Sequence, residues 1–155
     1  MHIVADDLSG IDIRALLETH FREMSERSPA GSCHFLDFQG LSAPNVSFWS
    51  IWTNGKPDGE LMGCGAISEI DPQHGEIKSM RTHHLHLRKG VATAMLKHLI
   101  AIAISRQYER LSLETGSGTH FNAAHRLYLT HGFEYCPPFG NYCEDPFSRF
   151  MTLKL

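Results

Sequence analysis

The 155 residues carry 14 Lys and Arg against 17 Asp and Glu, a formal net charge of −3, with 42% hydrophobic and 20% charged residues. That balance excludes a disordered chain and argues against a protein living on nucleic-acid backbones, which carries a basic face. A chain of this size buries roughly 68–70% of the surface it exposes when unfolded, so one domain spanning residues 1–155 is expected to hold its core without disulfides or metal.

In chain order, residues 1–5 read as a short strand and Asp12 to Met24 as a helix, with Ile13, Leu16, Leu17, His20, Phe21 and Met24 at helical spacing. Ser28 to Ser32 break that helix, and Cys33 to Pro44 suit a short helix and a loop. Val46 to Thr53 is aromatic and β-branched, a strand, and Leu61 to Ile70 is its returning partner. Asp71 to Gly75 reads as a turn and Glu76 to Thr82 as a further strand. A long helix is predicted from about Lys89 to Arg106, apolar on more than one face and so packed deep against a sheet. Leu111 to Thr115 is a short buried strand, and Asn122 to Thr130 a helix ended by Gly132. Phe133 to Cys136 and Arg149 to Leu155 are the last strands. The order implies an α/β single domain around one mixed sheet.

No apolar run approaches the ~18–20 residues that span a bilayer. Residues 1–10, MHIVADDLSG, lack the apolar core of a secretory signal, so the expected location is the cytoplasm. Cys33, Cys64, Cys136 and Cys143 form no C-x-x-C pair and are expected as reduced thiols, Cys64 as a small buried hydrophobe. His83-His84-x-His86 matches no zinc spacing; it reads as a solvated loop, and no metal is expected.

Leu87-Arg88-Lys89-Gly90-Val91-Ala92-Thr93-Ala94 stands where a loop enters the long helix. First-turn amides have no intrahelical partner and sit at the positive end of the helix dipole. Small residues at Gly90, Ala92 and Ala94 admit a phosphate to the main chain, with Arg88 and Lys89 beside it; an ordinary helix start with solvated basic residues is the other reading. No G-x-x-x-x-G-K-[ST] is present, Gly63-Cys64-Gly65 and Gly116-Ser117-Gly118 lack the third Gly of a dinucleotide fingerprint, and no G-x-S-x-G elbow appears.

Glu76 to Thr82 followed by Arg88-Lys89-Gly90-Val91-Ala92-Thr93-Ala94-Met95-Leu96 resembles the acetyl-CoA-binding motif of the GNAT superfamily of N-acyltransferases. Downstream, Asn122-Ala123-Ala124-His125-Arg126-Leu127-Tyr128-Leu129-Thr130-His131-Gly132-Phe133-Glu134 resembles that family's second motif, and the pair spans roughly residues 60–135. One position departs: Leu87 stands where the family usually has Gln or Arg.

The resemblance implies the GNAT fold, a mixed, mostly antiparallel sheet flanked by helices. It also implies direct transfer of an acetyl group from acetyl-CoA to a primary amine of a small molecule or peptide. A non-catalytic acyl-CoA-binding module of the same fold is the alternative. Arg88, Lys89, Gly90, Val91, Ala92 and Thr93 would cradle the pyrophosphate through their amides, and Met80 and Thr82 would pair with the pantetheine arm. Asn122 would contact the cofactor, or serve as a helix N-cap.

Tyr128 is the expected acid for the leaving thiolate, against a half-buried core aromatic. Glu76 is the candidate base, against a solvated strand-end carboxylate paired with Lys78, with His83, His84 or an ordered water as the other groups that could serve. Arg27, His34, Trp49, Arg81 and Tyr142 are expected to line the acceptor site. No nucleic acid or membrane partner is expected, and a homodimer is the association that the resemblance suggests.

Overall fold

The computed structural model describes residues 1–56 and 58–155. Its elements run β1 (His2–Ala5), α1 (Ile11–Arg27), α2 (Phe38–Leu41), β2 (Val46–Trp52), β3 (Leu61–Asp71), β4 (His74–Thr82), α3 (Val91–Ser105), β5 (Arg110–Gly116), α4 (Asn122–Thr130), β6 (Glu134–Cys136) and β7 (Ser148–Lys154). The strands form one seven-stranded sheet in the order β1-β2-β3-β4-β5-β7-β6. Every pairing is antiparallel except β4 with β5.

Two helical layers cover the two faces. Val91, Met95, Leu96, Leu99 and Ala103 make the buried stripe of α3, which packs on Ile51, Ile67, Ile77, Leu111 and Leu113. On the other face, Ile13, Leu16 and Leu17 of α1 cover Phe48, Trp52, Cys64 and Ala66. Each fully buried side chain of this kind stabilises the fold by about 1.5–3 kcal/mol relative to exposure. Neighbours in a strand point to opposite faces, which is why Ile67 and Ile77 meet α3 while Ala66 and Cys64 meet α1.

Several expected boundaries move. α1 runs a turn beyond Met24 to Arg27, and α3 begins at Val91 rather than Lys89, because Arg88 and Gly90 adopt left-handed backbone. β3 continues to Asp71 and β4 starts at His74, so the expected five-residue turn shrinks to Pro72 and Gln73. The histidine segment is not a solvated loop: His84–His86 form a 3-10 turn, and His86 is buried against Glu60 at 3.4 Å. Cys64 is buried as expected, its thiol pushed up to about 12 by burial.

One irregularity opens the sheet. Cys64 pairs with Arg81 and Ala66 with Lys78, so three steps on β4 face two on β3, a β-bulge around Ser79, whose φ is 52°. The parallel ladder of β4 with β5 covers only His74 to Ile77 against Arg110 to Leu113. Beyond it β4 continues to Thr82 and β5 to Gly116 unpaired with each other, and the two strands splay apart.

Candidate active site

The splay leaves a cavity of about 130 Å³ lined from both faces of the sheet. Met80, Leu113, Ala124 and Tyr128 line it on the α3 side; His20, His34, Lys78 and Glu114 line it on the α1 side. The sheet is therefore pierced between β4 and β5. A larger cleft of about 790 Å³ adjoins on the α1 side, floored by Glu76 and walled by Tyr142, and shares His34 with the first.

On the α3 side, the N–H of His83 bonds the carbonyl of Met62 at 2.8 Å. Alternation along β4 then turns the main-chain groups of Thr82 away from β3, while Met80 lies in the bulged stretch and lines the gap. The first helical bond of α3 runs from Ala94 N–H to Gly90 at 2.9 Å, so the amides of Val91, Ala92 and Thr93 precede it. Arg88 and Gly90 stand at φ 58° and 78°, so the chain turns through left-handed backbone on either side of Lys89 as it enters α3. Arg88, Lys89 and Gly90 are exposed, and Gly90 caps α3 with no side-chain bond. Leu87, the departure from the family pattern, is 56% exposed and contributes no charge.

Tyr128 is buried and lies 5.6 Å, centroid to centroid, from Phe133. Burial alone pushes its phenol well above the ordinary tyrosine range, so it holds its proton. Asn122 is exposed in the first turn of α4; the N-cap position belongs to Phe121, which corrects the capping alternative.

Glu76 is the third residue of β4, not its first, and is 8% exposed rather than solvated. Its Oε1 accepts from the Tyr142 hydroxyl at 2.5 Å and from Lys78 Nζ at 3.2 Å. Lys78 also donates to Tyr142 Oη and to the His34 carbonyl, both at 2.8 Å, which uses all three of its protons. This network ties the segment after α1 and the loop before β7 to the sheet. Phe139 packs edge-on with Tyr142, and the Phe150 ring lies tilted beside it.

Of the expected acceptor residues, His34 and Tyr142 line the cleft. Arg81 and Arg27 both pair with Glu23 of α1, at 2.8 Å and 3.4 Å. Trp49 is elsewhere: it lies on the α3 face, 5.3 Å from the His98 ring, because the alternation of β2 sends Phe48 and Trp49 to opposite faces.

Two residues that sequence reasoning missed also line the piercing cavity. His20 of α1 is buried with Nδ1 unpartnered, and burial lowers its pKa to about 4. Glu114 of β5 is its only carboxylate among the described residues. The polar slot of Glu114 in Leu111-Ser112-Leu113-Glu114-Thr115 was a legible signal, but nothing local tells which face of which strand gap it meets. Among the described residues no group of three or more His, Cys, Asp or Glu is placed to hold a metal ion.

The Acetyltransferase (GNAT) family matches residues 11–133. The chain is 52% identical over 155 residues to YsnE of Bacillus subtilis (strain 168), described as an uncharacterized N-acetyltransferase, covering 100% of both chains. It is 47% identical over 154 residues to YedL of Escherichia coli (strain K12), of the same description, covering 99% of this chain and 94% of that one. A solved Klebsiella pneumoniae structure superposes with a TM-score of 0.78 at 28% identity, covering 99% and 97%. A GNAT family acetyltransferase from Elizabethkingia anophelis, solved with acetyl-CoA bound, shares the fold at TM-score 0.69 and 20% identity, covering 99% and 97%. The chain belongs to the GNAT acetyltransferase family. With it the chain joins the acyltransferases that draw on acetyl-CoA.

Proposed function

We propose that this protein moves the acetyl group of acetyl-CoA directly to a primary amine of a small molecule or a peptide amino group. The observation that carries the reading is the pierced sheet, with free amides and a strand edge on one face and a polar cleft on the other. Bound on the α3 side, the pyrophosphate sits on the amides from Arg88 to Thr93, and Arg88 and Lys89 supply positive charge. The pantetheine arm extends β4 by pairing with Met80 and Thr82, and exposed Asn122 meets the cofactor from α4.

The acceptor enters by the cleft of His34 and Tyr142, so amine and thioester meet where the strands part. A fixed main-chain N–H on the open edge of β4 stabilises the developing oxyanion. Tyr128, protonated and beside the gap, supplies the leaving thiolate with its proton. A carboxylate on the acceptor face takes the proton of the amine, and Glu76 was the sequence candidate for it. Cytoplasmic location and homodimer formation belong to the same reading, and fractionation and light scattering test them.

Thiol release is the decisive assay, run with acetyl-CoA against a panel of amino acids, amino-acid amides, polyamines and short peptides. Turnover above the amine-free rate is expected for at least one class. Thermal stabilisation by CoA without thiol release from any of them would leave a binding module instead.

A further inference from the structure

We propose that Glu114, rather than Glu76, is the group that takes the proton from the acceptor amine. The inference rests on the acetyl-transfer reading above and assigns one step of it. Position separates the two carboxylates. Glu76 pairs with Ser112 inside the closed part of the β4–β5 ladder, whereas Glu114 follows Leu113, the last residue of that ladder on β5. Glu114 therefore stands at the point where the strands part and lines the piercing cavity, which Glu76 does not.

Occupancy separates them further. Glu76 is held on one oxygen by both Tyr142 and Lys78. Its role is to position the cleft: it anchors the ammonium that ties His34 and Tyr142 to the sheet. Glu114 lies across the sheet from Tyr128, so base and acid line the same cavity from opposite faces. The other lining groups serve less well. Lys78 has all its protons engaged, and His20, at about 4, is too weak a base.

The titratable groups around Glu114 are His20 of α1, which lines the same cavity, Cys33 and His34 from the segment after α1, Glu76 and Lys78 from β4, and Tyr142 from the loop before β7. Burial outweighs the opposing pull of the Ser148 hydroxyl on β7 and of the nearby His34 and Lys78, and raises its carboxyl above the usual carboxylate range, toward the pH at which a base works.

The acceptor ammonium gives one proton to the Glu114 carboxylate, and the freed lone pair forms the C–N bond to the thioester carbonyl carbon. The C–S bond breaks with its electron pair leaving on sulfur, which takes a proton from Tyr128. The second amine proton returns to Tyr128 through water, and Glu114 releases its own to solvent.

The test compares wild type with Glu114→Gln and Glu114→Asp, using the best amine of the panel. Glu114→Gln is expected to lose roughly 100-fold or more in kcat/KM and to lose the acidic limb of the pH profile, while CoA affinity by calorimetry is retained. Glu114→Asp is expected to keep that limb at a reduced rate. Should Gln prevent folding, seen as absent CoA binding, Glu114→Asp decides by itself: full rate with an unmoved limb overturns the assignment. So does a Glu114→Gln enzyme whose limb is unchanged. Wild-type inactivity toward every amine refutes the acetyl-transfer reading itself, a different failure from an active enzyme indifferent to residue 114.

Discussion

Replacing Gly90 with Asp puts a carboxylate at the mouth of the amide cluster that opens α3. No atom lies within 4 Å of where a Cβ would stand, so the substitution meets no clash. The left-handed backbone, φ +78°, costs a residue with a Cβ about 1–2 kcal/mol, and less for Asp. An Asp side chain at this N-cap can bond the free amides and offset about 1 kcal/mol of that. Net stability should move by less than about 1 kcal/mol, or a Tm change within about 2–4 °C for a domain of this size.

Affinity should respond far more. Two like charges 4 Å apart repel by about 1 kcal/mol in water and about 4 kcal/mol at an effective dielectric of 20. Gly90 is exposed, so the lower part of that range applies, and the new carboxylate also competes for the donors that the pyrophosphate needs. A loss of about 1–3 kcal/mol corresponds to roughly 5- to 150-fold in the Kd for CoA. Gly90→Ala carries at least as much backbone strain without the charge and should bind within about threefold of wild type. Calorimetric titration with CoA reads both. Wild-type affinity in a folded Gly90→Asp protein, or an equal loss in Gly90→Ala, would refute the charge argument.

Tyr128→Phe should lower turnover while leaving CoA affinity and Tm nearly unchanged, because burial is the whole environment of that phenol and removing it orphans no partner; equal turnover would return the ring to the core. Gly63→Ala would set a Cβ 2.5 Å from the Arg81 carbonyl and 3.1 Å from Val91, and should destabilise by about 1–3 kcal/mol, read as a lower urea midpoint; an unchanged midpoint would mean that the bulge yields freely. The folded pKa of His20, about 4, lies below its ordinary 6.5, so its contribution is full above pH 6.5 and lost as pH falls toward 4. Wild type should therefore lose about 2–3 kcal/mol more than His20→Gln between pH 7.5 and 4.5 in denaturant titrations, and parallel losses would refute the linkage.

Local patterning carried the elements, because burial leaves a period in the chain. The stripe of α3 and the alternation of Arg149 to Leu155 were legible before any packing was known. So were the Gly90 helix entry and Tyr128, since both lie in short contiguous motifs. Boundaries moved where backbone conformation overrode periodicity, as at Arg88 and Gly90 with positive φ. The site itself belongs to the tertiary structure. One extra residue around Ser79 splays β4 from β5, and no side-chain pattern announces a bulge. Strand alternation then decides faces: Trp49 goes to α3 and away from the acceptor, and Glu114 to the pierced gap. Glu76, Lys78 and Tyr142 meet across 64 and 66 residues of sequence separation. A contact of that kind depends on the register of the whole sheet, which no local stretch encodes.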